Sequence, residues 1–560
     1  MSVERQTVLV TGASGTVGGF TVPELVAKGY HVVAVDRPGA KFDWELPANA
    51  PVVIRLGDLT DPAFCREAVE GVNSIIHLAG AIDLRLSWEQ LSAINVDAVR
   101  YLYEAARETG CRRFVFFSSG SIYRHGRTPS TESTPFAPAS AYERSKVAAE
   151  QYLWGQPRSG PEVVVVRPSM IYGPRARFLG AKAAALPPML ALLFPRLPRL
   201  RGGASVNWIH AEDAARAAVF LLEPKQAAWE AFNVADDTPT SVGELLDVVT
   251  EAYGLPQGPA LPYPTALVNA VVPLLARSSF ALSVISKATE GLWRHIVGRE
   301  GLQPAISAGF DKELLDYATQ QVVFDNSKLK RLGFTLKFRS LREGYPSVLR
   351  WFQANRWVPV YRSEASREWG GSVGFTFAET MAGTWWSQTS QPPAKSLAGT
   401  VKGSGGVHPF RFSVTVRSAS ARDFLRTGAL TLEGLVDADG LAARQPCTGT
   451  LTIKAGWRPE LVYDVRFTGD DGQPYRFEGK KQISLLRFLP TISYLPGRLA
   501  DPQGQLVGRA ITYFDLENDL KAFLGSFSVQ TGAKAASPST APVVIPVTII
   551  ANSDVGLSRN

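Results

Sequence analysis

The chain has 560 residues, 45% of them hydrophobic and 20% charged, with 59 Lys and Arg against 51 Asp and Glu, a formal net charge of +8. One hydrophobic core stops growing at roughly 250–300 residues, so two domains are expected, and the composition excludes a disordered or fibrous chain. Three cysteines, Cys65, Cys111 and Cys447, none in a CxxC pair, offer neither a disulfide framework nor a thiolate site, so no metal is expected and a reducing cytoplasm fits.

The N-terminal stretch MSVERQTVLVTGASG is charged and runs straight into a strand pattern, without the apolar stretch and cleavage site of an export signal. The longest apolar stretches, 181–200 and 265–276, are broken by Pro187, Pro188, Pro195, Pro198 and Pro273, so neither reads as a spanning helix of about 20 apolar residues. The positive charge allows peripheral contact with an acidic membrane surface or a lipid. No basic run interleaved with aromatics is present, so nucleic acid is not an expected partner.

From residue 7 to about 240, short β-branched runs at 7–11, 31–36, 52–56, 74–78, 113–118 and 163–167 alternate with helical patterns at 16–28, 96–109 and 142–153. Continuous rather than alternating apolar strands mark a sheet covered on both faces, so the fold class is α/β, a doubly wound parallel Rossmann sheet. Residues 241–355 read as a small, mainly helical part over the strand ends, which makes 1–355 one domain with a core at 1–240. Tryptophans, glycines and period-two alternation then replace the helical texture, as in Phe410, Phe412, Val414 and Val416. The expectation is a linker at 356–372, a mostly-β domain at 373–530 and a tail at 531–560, partly flexible and rich in Ala, Ser, Pro and Thr at its start. Within the β domain, Tyr463, Val465 and Phe467 lead into Asp470, Asp471 and Gly472 and on to Tyr475 and Phe477, the pattern of a hairpin.

The chemistry-bearing residues gather at the ends of these strands. The first strand runs into Gly12, Ala13, Ser14, Gly15, Thr16, Val17 and Gly18 before a helix, and glycines at that spacing let the backbone approach a pyrophosphate held on the helix N-terminus. Asp36 closes the next strand, where a carboxylate can accept both ribose hydroxyls, which favours NAD; Arg37 beside it could hold a 2′-phosphate, so NADP stays open. Asp58 and Leu59 close the third strand, Leu78, Ala79 and Gly80 the fourth, and Pro168 the sixth, all on the ligand-binding edge. His77 at the end of a buried strand reads as structural.

Ser118, Ser119, Gly120, Ser121, Ile122 and Tyr123 end the fifth strand, and Tyr142 and Lys146 stand four apart on the following helix, hence on one face. A phenol has a pKa of about 10, and a neighbouring ammonium favours its ionised form, so Tyr142 becomes a usable acid/base. Lys146 can also reach a cofactor ribose, and the Ser119 hydroxyl can hold a substrate oxygen as charge develops on it.

With TGASGTVG at 11–18, HLAGA at 77–81, Asn95, FSSGSIY at 117–123, YERSK at 142–146, RPSMIYGP at 167–174, NWIHAEDAARA at 207–217 and FNVADDTP at 232–239, the chain resembles the extended short-chain dehydrogenases/reductases. These include nucleotide-sugar epimerases and dehydratases and the 3β-hydroxysteroid dehydrogenases. The resemblance implies Ser119, Tyr142 and Lys146 as catalytic residues and Asn95 as the asparagine that steadies the active-site helix and its water. It implies substrate contacts from Ser119, Ser121 and Ser169.

Two departures narrow the chemistry. Gly120 and Ser121 replace the acidic pair of the dehydratases, which argues against dehydration, and Ser169 replaces the asparagine usual in sugar-nucleotide members. The apolar stretches 181–200 and 262–293 suit a cleft for an apolar alcohol or ketone, steroid- or lipid-like; alternatively they are core helices. A nucleotide-sugar 4-epimerase or reductase is the enzymatic alternative, and a cofactor-sensing or lipid-binding scaffold the non-enzymatic one. A homodimer is compatible with either. The run 375–383 with Tyr463, Phe467, Gly479 and Lys480 resembles a β-rich region appended to some sterol-oxidising flavoenzymes. There Glu379 and Lys480 are the expected structural ion pair, and Trp385 and Trp386 are either exposed aromatics or a core pair.

Overall fold

The computed structural model describes residues 6–531, apart from 83–85, 127, 193, 195, 267, 270–271, 274–278, 310–318, 362–372, 388–405, 419, 455–459, 484–490, 492, 516–517 and 527. Residues 362–372 of the expected linker and 532–560 of the tail therefore lie outside the described residues, as does part of the 262–293 stretch.

The first body is built on β1 (Thr7–Thr11), β2 (His31–Asp36), β3 (Val52–Leu56), β4 (Ser74–His77), β5 (Arg113–Phe117) and β6 (Glu162–Pro168). Short strands follow, β7 (Met170–Tyr172), β8 (Leu197–Arg201), β9 (Ser205–Val206) and β10 (Trp208–His210), then β11 (Glu230–Val234), β12 (Thr240–Ser241) and β13 (Gln257–Pro262). Seven strands form one parallel sheet in the order β11-β6-β5-β4-β1-β2-β3. The direction of winding reverses between β1 and β4, and the crevice outside their carboxyl ends is where such sheets take ligands.

Each face of the sheet has its own core. Val8, Val10, Ile76 and Val164 pack beneath the helices Gly18–Ala27 and Ala211–Phe220. Leu9, Ile75, Phe114 and Phe116 pack beneath Ala98–Glu108 and Ala141–Trp154. This two-sided burial is why the strands read as unbroken apolar runs. A further core joins Leu179–Ala191, Val242–Tyr253, Ser279–Glu300 and Leu341–Ala354 through Ala184, Val249, Trp293, Tyr345 and Phe352. Ala181, Ala183, Ala184, Ala185, Met189 and Trp293 are thus core residues, and at these positions the apolar stretches serve packing rather than a cleft.

The second body is a closed β-barrel. Its strands are β14 (Val373–Ser387), β15 (Val407–Arg417), β16 (Ala429–Ala438), β17 (Ala442–Lys454), β18 (Glu460–Thr468), β19 (Pro474–Gln482), β20 (Tyr494–Ala500) and β21 (Leu506–Tyr513). Each pairs antiparallel with the next, and β14 pairs with both β15 and β21 to close the ring; β22 (Ser528–Thr531) adds to the start of β14. Phe410, Phe412, Tyr463, Val465 and Phe477 fill the interior, as expected of a barrel of about eight strands. At Gly383, Gly434 and Gly449 an added Cβ would stand 1.8–2.0 Å from a carbonyl oxygen of the adjacent strand, so these strands bend where only glycine fits.

The expected hairpin is β18–β19, turning through Gly472 at φ 77°. Trp385 and Trp386 are both buried, and Trp385 belongs to the interior cluster.

The structure corrects the ion pair. Glu379 is bonded to Lys481 at 3.1 Å, not to Lys480, whose side chain is exposed. Side chains alternate along a strand, so Phe477, Gly479 and Lys481 share the inner face and Lys480 the outer.

Candidate active site

The glycine-rich loop after β1 turns through Gly12 at φ 65°, a conformation that costs an L side chain. A Cβ there would also lie 3.0 Å from the backbone nitrogen of Ala79, and one at Gly18 would lie 2.3 Å from the Gly12 carbonyl oxygen. The loop is therefore folded tightly onto itself and onto the end of β4. The helix Gly18–Ala27 that follows has Val17 at its N-cap and no side chain capping it. Uncapped N–H groups at a helix start form a ready anion site, so this loop fits the pyrophosphate of a dinucleotide.

Asp36, at the carboxyl end of β2, accepts hydrogen bonds from Ser14 N (2.9 Å) and Ser14 Oγ (2.8 Å) on one oxygen and from Arg37 N (2.9 Å) on the other. The predicted pair Ser14 and Asp36 are thereby in direct contact, and the carboxylate keeps lone pairs for a ribose. Arg37 is exposed. Asp58 is exposed and accepts from Thr60 N at 2.9 Å, a turn-forming bond. Leu59 packs at the rim of the second core.

Thr11 was not anticipated. Its Oγ1 accepts from Leu78 N and Ala79 N, each at 3.1 Å, and meets His77 Nδ1 at 2.9 Å, which ties the glycine loop to the predicted Leu78–Ala79–Gly80 segment. His77 is buried, and its Nε2 has no partner among the described residues; burial, then the Lys146 charge, lowers its pKa to about 3. It stays neutral and structural, as its position at the end of a buried strand suggested.

The helix Ala141–Trp154 starts in a capping box of Ser140 and Glu143, which fixes its first turn and with it Tyr142. Lys146 is 4% exposed; its Nζ donates to the Phe117 carbonyl at 2.9 Å and stands 5.2 Å from the Phe116 ring centroid and 6.0 Å from that of Tyr142. The predicted tyrosine and lysine thus share a face against the end of β5. Burial lowers the Lys146 pKa to about 8, and the carboxylate of Glu150 opposes that fall. Ser119, two residues beyond Phe117, caps the short turn Gly120–Ile122: its Oγ accepts from Ser121 N at 3.2 Å and meets Ser121 Oγ at 2.9 Å.

Asn95 sits in a π-turn, Ala93–Asp97, a local widening that turns its side chain inward. Its Oδ1 accepts from Ala81 N (2.8 Å), and its Nδ2 donates to Ala81 O (3.0 Å) and Ser145 Oγ (2.9 Å), while Ser145 Oγ donates to the Tyr142 carbonyl (2.7 Å). The chain Ala81–Asn95–Ser145–Tyr142 locks the helix that carries Tyr142 and Lys146 to the segment after β4. Gly80 sits against this lock, where an added Cβ would meet Lys146 Nζ at 3.1 Å and Asn95 Oδ1 at 3.2 Å.

Pro168 ends β6, Ser169 follows it, and both are buried. The hydroxyls of Ser118 and Ser169 are buried with no partner among the described residues, so both offer bonds at the ligand edge. Behind the site, Arg167 and Glu150 pair at 2.5 Å, and Arg167 Nη1 donates to Tyr123 Oη, which in turn donates to Asn233 Oδ1. The sequence carried a signal for this network: a lone arginine in the run VVVVRP implies a buried partner.

The residues present fit a dinucleotide: an uncapped helix start, a glycine cradle, a strand-end carboxylate and a buried lysine at the head of the cleft. Among the described residues no cluster could hold a metal ion, and no helix is long and apolar enough to cross a membrane.

A model of the NAD dependent epimerase/dehydratase family matches residues 8–235. The 3 beta-hydroxysteroid dehydrogenase/Delta 5-->4-isomerase of Mycobacterium tuberculosis is 30% identical over 269 residues, 45% of this chain and 71% of that protein. Sterol demethylase protein B of Methylococcus capsulatus is 35% identical over 173 residues, 30% of this chain and 52% of that protein. UDP-glucose 4-epimerase of Mycolicibacterium smegmatis is 30% identical over 263 residues, 45% of this chain and 84% of that protein.

Proposed function

The chain belongs to the NAD dependent epimerase/dehydratase family and is an NAD-dependent oxidoreductase of the short-chain dehydrogenase/reductase type. From that premise we propose that it interconverts a secondary alcohol and a ketone on an apolar, steroid- or lipid-like substrate, with Tyr142 as the acid/base. The observation that carries this reading is the buried Lys146 ammonium, fixed by the Phe117 carbonyl on the face it shares with Tyr142.

The glycine loop, Asp36 and Lys146 hold the cofactor. NAD, when bound, supplies the hydride acceptor. Tyr142 takes the proton of the substrate hydroxyl as the carbonyl forms, and the Lys146 charge favours the phenolate that does so. Ser119 donates a hydrogen bond to the substrate oxygen where charge develops, and Ser121 and Ser169 supply further contacts. Asn95 acts through Ser145, holding the turn that carries Tyr142. The steroid-like substrate is supported by the identity to the Mycobacterium tuberculosis enzyme, and Gly120 and Ser121, which offer no carboxylate, argue against dehydration.

The similarity to the Mycolicibacterium smegmatis epimerase favours a second reading, a nucleotide-sugar 4-epimerase using the same three residues through a transient ketone. Incubation with NAD against hydroxysteroids, long-chain hydroxy acids and sugar nucleotides separates the two. Stoichiometric reduced cofactor with a hydroxysteroid supports the first; turnover of a sugar nucleotide on retained NAD, with no net reduction, replaces it with the second.

A further inference from the structure

Arg175 has a left-handed backbone, φ 68°, which a non-glycine residue adopts at a cost. Such strain persists where surrounding structure enforces it, and it points to a function for the side chain. Here it sends the guanidinium from the segment after β7 to the nucleotide loop. An ideal Cβ on Gly19 would lie 2.3 Å from Arg175 Nη2, 2.5 Å from Cζ and 2.7 Å from Nε, so the guanidinium rests on the first turn of the helix Gly18–Ala27 and Gly19 leaves room for it. Gly18 is already explained by its approach to the Gly12 carbonyl; Gly19 is explained by Arg175.

The contacts Arg175 makes do not account for its placement. Nη1 meets Asp43 Oδ1 at 3.1 Å, but Asp43 is 48% exposed, and exposed ion pairs contribute little. Cζ stands 5.2 Å from the Phe20 ring centroid. Nε is buried and has no partner among the described residues. The Nε and Nη2 edge, a fork of two parallel donors suited to phosphate oxygens, is the edge that lies over Gly19.

We propose that Arg175 is a diphosphate-binding residue of the dinucleotide groove, reaching it from the segment after β7 beside the helix start that follows the glycine loop. The inference rests on the NAD-binding reading of that groove. It assigns Gly19 and the strained turn at 175 to the cofactor.

Calorimetric titration of the full chain with NAD, ADP and adenosine tests this, using wild type, Arg175→Ala, Arg175→Lys and Asp43→Asn. Loss of a charge-assisted phosphate contact should weaken NAD and ADP about 10-fold or more in Arg175→Ala, with adenosine changed less than about 2-fold. Arg175→Lys, which keeps the charge without the fork, should fall between, and Asp43→Asn should leave all three near wild type. The proposal is overturned if adenosine weakens as much as ADP, if Asp43→Asn reproduces Arg175→Ala, or if Arg175→Ala binds NAD as wild type does. A wild-type chain that binds no NAD would instead remove the reading beneath it.

Discussion

Glu150 and Arg167 form a buried ion pair of 2.5 Å, one helical turn from Lys146 and almost wholly out of water. Breaking a buried pair strands a charge at a cost of about 3–5 kcal/mol. Glu150→Gln should therefore lower the unfolding free energy by that amount, read as a fall in the denaturant midpoint, whereas the double variant Glu150→Leu/Arg167→Met should recover most of it. Glu150 also raises the Lys146 pKa, so in Glu150→Gln the loss of activity at alkaline pH should begin at a lower pH than in wild type. A stability loss with an unmoved pH profile would confine the pair to a structural role.

Lys146 itself carries a stability cost. Its pKa is lowered from 10.5 to about 8 by burial, so the unfolded state binds the proton more tightly than the folded state does. The sign follows: between about pH 8 and 10.5 the unfolded chain carries more protons, stability from this group rises with pH, and the penalty is fully present below pH 8. Lys146→Met should raise the thermal midpoint at pH 7, by about 1–3 kcal/mol of stability, while removing turnover. Calorimetry at pH 7 and pH 10 checks it, since the gain should shrink at the higher pH.

Tyr142→Phe removes one oxygen from a helix face and leaves the cofactor loop, Lys146 and the Asn95–Ser145 lock in place. Turnover should fall by about 10³-fold or more, in the range seen when a proton-transfer group is deleted, with NAD affinity changed little. Unchanged turnover would dismiss the proposed acid/base.

In the barrel, Tyr463 Oη donates to Glu379 at 2.8 Å and Lys481 Nζ stands 3.1 Å from the other carboxylate oxygen. Lys481→Met should cost about 3–5 kcal/mol by leaving Glu379 buried and unpaired, while Lys480→Ala at the exposed neighbouring position should stay within about 0.5 kcal/mol. Urea unfolding of the two variants reads out the register directly.

Six of the seven sheet strands, the glycine loop, Asp36 and the Tyr142–Lys146 face were legible in the sequence because each is local, whereas the edge strand Glu230–Val234 was not read as one. Strand periodicity, the i and i+4 relation on a helix and glycine at a tight turn are set by residues near one another in the chain. The barrel's closure was not legible, since pairing of Val373–Ser387 with both Val407–Arg417 and Leu506–Tyr513 depends on strands far apart. The partner of Glu379 slipped by one residue because alternation fixes which positions share a face only once the phase of the strand is known. The apolar stretches near 181–189 and Trp293 read equally well as cleft or core, because burial leaves the same composition in both; packing against Tyr345 and Phe352 decided for core. Thr11, Arg167 and Arg175 act across 17 to 156 residues of chain, through Ala79, Glu150 and Gly19 respectively. The sequence by itself thus determined the chemistry available at each strand end. Only the tertiary structure decided which buried charges and strained turns face it, because those relations are made between segments whose separation no local pattern records.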